Sequence, residues 1–180
     1  MSFELPVGRH LVREAEPADE PALWELFQAC ADYFEAATGL PPGPGDVQSL
    51  FYSLPEGAGW ADKHVLVVVA PDGEVVGLVD AVLRHPDPAS CATGLFLLHP
   101  HVRRQGLGTA VAGALLAHAA ALGVTRVTAS VPDGWLPGER FLTARSFTLA
   151  AEPDIRETVG NRRAGPRERA VRRAELRLPA

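Results

Sequence analysis

The chain has 180 residues, of which 47% are hydrophobic and 22% are charged, and its formal net charge is −5. This length and composition predict one soluble globular domain over residues 1–180, and they exclude a coiled coil or a disordered chain. The acidic balance argues against a global attraction to nucleic acid or anionic lipid, so we expect neither a nucleic-acid nor a membrane partner.

The first ten residues lack a basic segment followed by an apolar one, and no apolar run approaches the length that spans a membrane. The two cysteines, Cys30 and Cys91, suit a reducing compartment and are most simply small core residues. We therefore expect a cytoplasmic protein.

The N-terminal part predicts a strand that leads into helices. A short apolar run at 10–12 precedes Asp19, a plausible N-cap, and a helical face follows it. This face consists of Leu23, Leu26, Phe27 and Cys30. A second short helix around 31–38 is expected to end at Gly39. A surface loop at 40–46 and one more helical turn after it complete this part.

The middle of the chain predicts a β-hairpin. Residues 64–70 and 74–84 are rich in β-branched side chains and flank the turn signal "PDG". Residues 91–98 predict the next strand. Gly94 inside it indicates a bulge or a close approach by another backbone or a ligand.

A loop over 99–105 and a helix over 106–122 follow, and Gly123 ends the helix. The apolar stripe that we expect to face a sheet consists of Leu107, Val111, Leu115, His118 and Leu122. The strand predicted at 124–131 is expected to be parallel to the strand before the helix, since the helix is the usual crossover.

The C-terminal part predicts a short helix and two further strands, at 147–151 and 170–178. Eight of the sixteen arginines fall between Arg156 and Arg177. This run fits either a basic nucleic-acid tail or an exposed loop followed by a solvated strand face. Glu168 and Glu175 interrupt it and favour the second interpretation.

The start of the long helix has the features of an anion site. Free N–H groups at a helix N-terminus carry partial positive charge, and Gly106 and Gly108 would let the backbone approach an anion. Arg103 and Arg104 add charged donors, so a pyrophosphate fits. A dinucleotide fingerprint needs a glycine where Val111 stands, and the lysine of a P-loop is missing. A tight helix entry without any ligand remains the alternative.

The segment Arg103-Arg104-Gln105-Gly106-Leu107-Gly108, after a strand that ends near a proline, resembles the acyl-CoA-binding core of the GNAT superfamily of N-acetyltransferases. The resemblance is strong over residues 95–131. It implies a single-domain α/β (α+β) fold whose mixed central sheet has about six to seven strands, is flanked by helices and is splayed at the CoA-binding strands. Ser146 stands where the family usually has glycine.

The same resemblance implies acetyl-CoA as co-substrate and no metal. The backbone of Phe96, Leu97 and Leu98 would hold the pantetheine arm, and an N–H group near Leu97 or Leu98 would bind the oxyanion. The CoA-binding loop would comprise Arg103, Arg104, Gln105, Gly106, Leu107, Gly108 and Thr109.

The implied reaction is direct acyl transfer to a primary amine of a small molecule or a protein, which needs a base. Asp80 is our candidate, because it lies on an otherwise apolar strand where burial would raise its pKa. Strand alternation predicts that it shares a face with Val76, Leu78 and Val82. A purely structural carboxylate is the alternative. Ser130, near the end of its strand, could orient water.

The acceptor site is less defined by the sequence. Tyr33, Phe34 and Trp135 lie on segments that line the acceptor pocket in the family. His99 and His101 flank a proline without a third ligand nearby, so we expect no metal site.

The tyrosine that often protonates the leaving thiolate in the family falls at Leu142, which cannot donate a proton. A non-catalytic acyl-CoA-binding or regulatory module is therefore the alternative function. A homodimer is expected by analogy alone.

Overall fold

A computed structural model describes residues 4–159 and 166–179. Within these ranges lie nine strands and five α-helices. In chain order they are β1 (Glu4–Val7), β2 (His10–Glu14), α1 (Glu20–Ala29), α2 (Ala31–Thr38), α3 (Pro44–Tyr52), β3 (Lys63–Val69), β4 (Val75–Leu83), β5 (Ser90–Leu98), α4 (Leu107–Ala121), β6 (Arg126–Pro132), α5 (Leu136–Ala144), β7 (Thr148–Leu149), β8 (Asp154–Val159) and β9 (Pro166–Arg177).

The strands form one mixed sheet in the order β1-β2-β3-β4-β5-β6-β9-β7, and β8 pairs with β9. β5 and β6 are parallel, whereas the other neighbours are antiparallel. A parallel pair needs a crossover connection, and α4 provides it as predicted. The mixed α/β sheet flanked by helices is thus confirmed.

The sheet has more strands than the six to seven expected, because β1 and β8 were not predicted. β1 has four residues and contains Pro6, so its pattern is too short to show a period. β8 falls where we expected an exposed loop, and that expectation is wrong. Its Ile155 is 62% exposed, and a strand without a buried face shows no hydrophobic alternation. Residues 160–165 of the arginine-rich run lie outside the described residues.

Two helical layers cover the sheet. The predicted face of α1 is buried against one side, where it packs on residues of β3, β4 and β5 such as Val67, Leu78 and Leu97. On the other side, Leu107 and Val111 of α4 pack on β2, β3 and β4. Cys30 and Cys91 are both buried free thiols.

Leu122 differs from the stripe predicted for α4, since it is 57% exposed. It follows the last helical residue, so its side chain leaves the buried face. Ala112 and Ala119 are buried in addition to Leu107 and Val111. No helix in the described part of the chain is long and apolar enough to cross a membrane.

The prediction that Asp80 shares one face of β4 with Val76, Leu78 and Val82 is correct in part. The β3–β4 register shifts between Val68 and Val69, so Val68 pairs with Gly77 while Val69 pairs with Val75. Val76 therefore lies in the core on the α4 side, and placing it on the face of Asp80 is wrong. Leu78 belongs to the core on the opposite side, and Val82 lines the same cleft as Asp80.

Candidate active site

The loop between β5 and α4 presents a run of free backbone donors. Arg104 (φ 63°) and Gly106 (φ 86°) adopt left-handed conformations there. None of the six N–H groups from Arg104 to Thr109 donates a hydrogen bond to another described residue, and Ala110 is the first to bond back, to the Gly106 carbonyl oxygen at 3.0 Å. Consecutive free N–H groups at a helix N-terminus attract an anion, so this loop fits a diphosphate.

The two glycines of this loop have different roles. A Cβ atom on Gly106 would meet no protein atom within 4 Å, so the backbone is open to a ligand, and the positive φ favours glycine at this position. A Cβ atom on Gly108 would lie 3.2 Å from Leu98 Cδ1 and 3.3 Å from Phe141 Cε2. Gly108 thus lets α4 pack closely, rather than letting the backbone approach a ligand as expected.

Arg103 does not face the loop donors. Its Nε donates to the Leu98 carbonyl oxygen at 2.8 Å, and its Nη1 lies 2.9 Å from the Asp32 carboxylate. Its Nη2 also donates to Cys30 Sγ at 3.2 Å. Arg103 therefore ties the end of β5 to α2, whereas Arg104 is exposed and has no ion pair with the described residues.

β5 and β6 separate beside this loop. Their parallel ladder runs from Ser90 and Arg126 to Thr93 and Ala129, and no pairing follows although both strands continue. The structure thus has the gap between strands that the resemblance implies.

The backbone direction along β5 decides which groups face the gap. The Leu98 carbonyl oxygen accepts from Arg103, whereas the His99 N–H donates to Val76 of β4 at 2.8 Å. Successive residues of a strand point their N–H and C=O groups in opposite directions. The backbone N–H and C=O groups of Phe96 and Leu98 therefore face the gap, while those of Leu97 face β4. Of the two oxyanion donors considered, only the Leu98 N–H has the required direction.

Two cavities meet at the gap. An apolar cavity of about 200 Å³ lies between the sheet, α4 and α5. A polar cleft of about 1360 Å³ lies on the opposite face, between the end of α3 and strands β4 to β9. Both are lined by Thr93, Gly94, Ala129 and Ser130.

Asp80 lies in the polar cleft, and its side chain is 15% exposed. Burial raises the pKa of Asp80, as predicted, while the hydrogen bond and charge of Lys63 act in the lowering direction. Lys63 Nζ lies 2.6 Å from Asp80 Oδ1, and the lysine side chain is 7% exposed. This partner was not predicted from the sequence, although Lys63 is the only lysine in the chain and directly precedes a predicted strand.

Gly94 accommodates the Asp80 carboxylate. Asp80 pairs with Leu95 and Ala81 pairs with Thr93, so Gly94 is the extra residue of a bulge. A Cβ atom on Gly94 would lie 2.8 Å from Asp80 Oδ2. The predicted bulge at Gly94 is confirmed, whereas the group that approaches Gly94 is the Asp80 side chain and not a backbone or a ligand.

Tyr33 and Trp135 line the apolar cavity instead of the polar cleft. Their rings meet edge to face with centroids 5.4 Å apart, and burial raises the pKa of Tyr33 to about 12. Leu142 lines the same cavity. Phe34 is 7% exposed and packs on Phe27 in the core, so it lines neither cavity and we exclude it from the acceptor site.

The remaining polar candidates lie as follows. Ser130 Oγ lies at the gap and accepts a hydrogen bond from Arg156 Nη1 at 3.4 Å. The rings of His99 and His101 are 4.3 Å apart. Across the described ranges, no group of three or more His, Cys, Asp or Glu side chains could hold a metal ion.

Known structures share this fold. An acetyltransferase from Thermus thermophilus has a TM-score of 0.70 at 22% identity, covering 97% of this chain and 100% of its own. The ribosomal L7/L12 α-N-protein acetyltransferase RimL has a TM-score of 0.73 at 17% identity, covering 99% and 96%. The ribosomal-protein-S18-alanine N-acetyltransferase from Escherichia coli has a TM-score of 0.62 at 15% identity, covering 95% and 96%.

Identities this low show the fold alone, which is that of N-acetyltransferases. No curated protein matches the sequence. Residues 22–142 match the acetyltransferase (GNAT) family, more than half of the chain. The chain therefore belongs to the GNAT family of acetyltransferases and is an enzyme of that type.

Proposed function

We propose that the protein transfers an acetyl group from acetyl-CoA directly to a primary amine of a small molecule or a protein, with both substrates bound together. The run of six free N–H groups from Arg104 to Thr109 carries this proposal, because it fits the diphosphate of CoA. Acetyl-CoA supplies the activated acyl group in this family.

The gap between β5 and β6 would accept the pantetheine arm. Phe96 faces this gap with its backbone N–H and C=O groups, and the Leu98 N–H is the donor for the oxyanion. The Leu98 carbonyl already accepts from Arg103, so its role is to hold the strand end in place.

Asp80 is the proposed base. It lies in the cleft on the side of the sheet opposite the apolar cavity, beside Gly94, where the two spaces meet. The carboxylate would take a proton from the bound ammonium group, and the free amine would then attack the thioester carbonyl. Ser130 lies at the same junction and would orient the amine or a water molecule.

Tyr33 is our candidate for protonating the thiolate in place of the residue at Leu142. It is the one tyrosine among the residues that line the apolar cavity, and with a pKa near 12 its phenol keeps its proton at neutral pH. Tyr33→Phe should lower kcat by about 10²-fold if this donor is used. An unchanged kcat would remove Tyr33 from the mechanism.

Isothermal titration calorimetry with acetyl-CoA tests the site that carries the proposal. Gly106→Val should weaken binding at least tenfold, because valine disfavours the left-handed backbone and its side chain fills the open face of the loop. Gly113→Val on the exposed side of α4 is the matched control and should bind like the parent. Absent binding to the parent protein, or equal binding to both variants, would contradict the proposal.

Leu142 cannot donate a proton to the leaving thiolate, and this favours one alternative function, that of a module that binds acyl-CoA without turnover. The two functions differ in the release of free thiol. Amine-dependent release with any member of an amine panel supports the enzyme. Acetyl-CoA binding without release, for every amine and at several pH values, supports the module.

A further inference from the structure

The polar cleft is cationic although the whole chain is acidic. Five of its lining residues carry a positive charge and two carry a negative one. The cations are Lys63, Arg126, Arg156, Arg173 and Arg177, and the anions are Asp80 and Glu175. Three of the arginines belong to the arginine-rich run of the sequence. That run therefore contributes a wall of the cleft in which the proposed base lies.

Most of these cations have a carboxylate partner within the protein. Lys63 pairs with Asp80, Arg126 with Asp87 at 2.7 Å, Arg177 with Glu175 at 3.1 Å, and Arg173 with Asp154. Arg156 forms no ion pair with the described residues, and its Nη1 donates to Ser130 Oγ. Among the residues that the structure describes, Arg156 is thus the one cation of the cleft without a carboxylate partner, and it lies beside a hydroxyl group at the gap.

Arg156 and Asp80 lie on opposite sides of β5. Asp80 is on β4 and Ser130 is on β6, and β5 lies between them, so the backbones of these two residues are at least two strand spacings apart, which is about 10 Å or more because β5 and β6 separate here. Arg156 and Asp80 line the same cleft. Side chains that extend from both positions leave room for a small molecule whose amine and anion are a few bonds apart.

We propose that the amine acceptor carries an anionic group, a carboxylate or a phosphorus oxyanion, which Arg156 binds with Ser130 while the amine lies at Asp80. A guanidinium group suits this ligand because it offers parallel N–H donors to two oxygens of one anion. The inference rests on the proposed acetyl transfer and gives its acceptor a chemical class.

Acceptors that are matched in skeleton and differ in the anionic group test this chemical class. Initial rates of thiol release from acetyl-CoA are measured with α-amino acids, with their amides, and with aminoalkylphosphonic acids of the same skeleton. The amides have the same shape around the amine and lack the anion. The acids should have a kcat/KM at least tenfold higher than that of the amides. Comparison of the amino acids with the aminoalkylphosphonic acids shows which oxyanion is preferred.

Two variants connect this preference to Arg156. Arg156→Gln should reduce the ratio of acid to amide kcat/KM at least tenfold, and Arg156→Lys should restore part of it. Arg9→Gln, in the exposed turn between β1 and β2, is the control and should keep the ratio of the parent. Equal kcat/KM for acids and amides in the parent, or an unchanged ratio in Arg156→Gln, would overturn the inference.

The proposed function and this inference can fail separately. If no amine of any series is acetylated, the proposed function fails, and calorimetric titration of the acids and amides into the parent and Arg156→Gln decides the inference. Binding of acids over amides that is lost in Arg156→Gln supports it. Equal binding, or no binding, overturns it. Acetylation of acidic peptides in preference to all the small acids would also contradict the inference that the acceptor is a small molecule.

Discussion

Burial and the neighbouring Lys63 act in opposite directions on the protonation of Asp80, and the effect of burial is the larger. Both side chains are largely buried, and the two influences on the carboxyl pKa oppose each other. Burial disfavours the charged carboxylate, whereas the ammonium group 2.6 Å away favours it. A proposed base in this setting depends on its neighbour for its working pH range.

Lys63→Met should therefore move the acidic limb of the pH profile of kcat/KM to higher pH. The substitution removes the hydrogen bond and the charge that lower the Asp80 pKa and leaves burial, which raises it. A base works only when deprotonated, so activity should appear at higher pH than in the parent. The measurement is kcat/KM for one amine between about pH 5 and 9.

Asp80→Asn removes the proposed base. Its pH profile should therefore lack the acidic limb, and its kcat should fall by at least about 10²-fold. An acidic limb at the same pH in Lys63→Met would contradict the role given to the pair. Circular dichroism and thermal unfolding of both variants identify any loss of fold, since breaking a buried ion pair costs about 3 kcal/mol or more.

At the scale of the elements, the entry into β7 contains a strained residue. Ser146 has φ 67°, a left-handed conformation that a serine adopts at a cost of about 1 kcal/mol. The resemblance places this serine where the family usually has glycine. The structure gives the physical reason, since glycine adopts such a backbone without strain.

Ser146→Gly should raise the free energy of unfolding by about 0.5 kcal/mol, because the relieved strain exceeds the extra entropy that glycine loses on folding. The midpoint of thermal unfolding should rise by about 1–2 °C. Ser53→Gly, where φ is −89°, is the control and should lower both values. A lower stability of Ser146→Gly would contradict the strain.

The strands and helices with a buried face were predictable from the sequence. β3 and β4 are β-branched runs that are buried on both faces, α1 has one apolar face, and α4 is a long apolar segment bounded by glycines, so each of these elements gives a clear signal. The bulge at Gly94 was also indicated by a glycine inside a strand. β1 and β8 were missed because short or solvent-exposed strands have no such signal.

Contacts between distant segments were not predictable. Lys63 contacts Asp80 on the neighbouring strand, and Arg103 contacts Asp32, 71 residues away along the chain. These pairings depend on the register of the sheet and on how α2 is placed, which local patterns do not encode. The candidate CoA-binding loop could be predicted because its donors are consecutive in sequence.

On the scale of the whole molecule, the two spaces open on opposite faces of the sheet and share a gap. The sites proposed for acetyl-CoA and for the amine can then be occupied together, so we expect a sequential mechanism. Cys91 lines the apolar cavity, but burial raises its pKa to about 11, so it remains an unreactive thiol at neutral pH.

Initial rates with acetyl-CoA and an amine should give intersecting lines in double-reciprocal plots. Parallel lines would indicate an acetylated enzyme intermediate and would contradict direct transfer. Cys91→Ala should retain the intersecting pattern, which excludes an acetyl-cysteine intermediate.

The central claim is that the backbone of Arg104 to Thr109 binds acetyl-CoA through its diphosphate. Its most direct test is the titration of ¹⁵N-labelled protein with acetyl-CoA, followed by the amide resonances in two-dimensional NMR spectra. These six amides should shift most strongly and saturate together, because their N–H groups have no partner among the described residues. Unchanged resonances for this loop at saturating acetyl-CoA would contradict the claim.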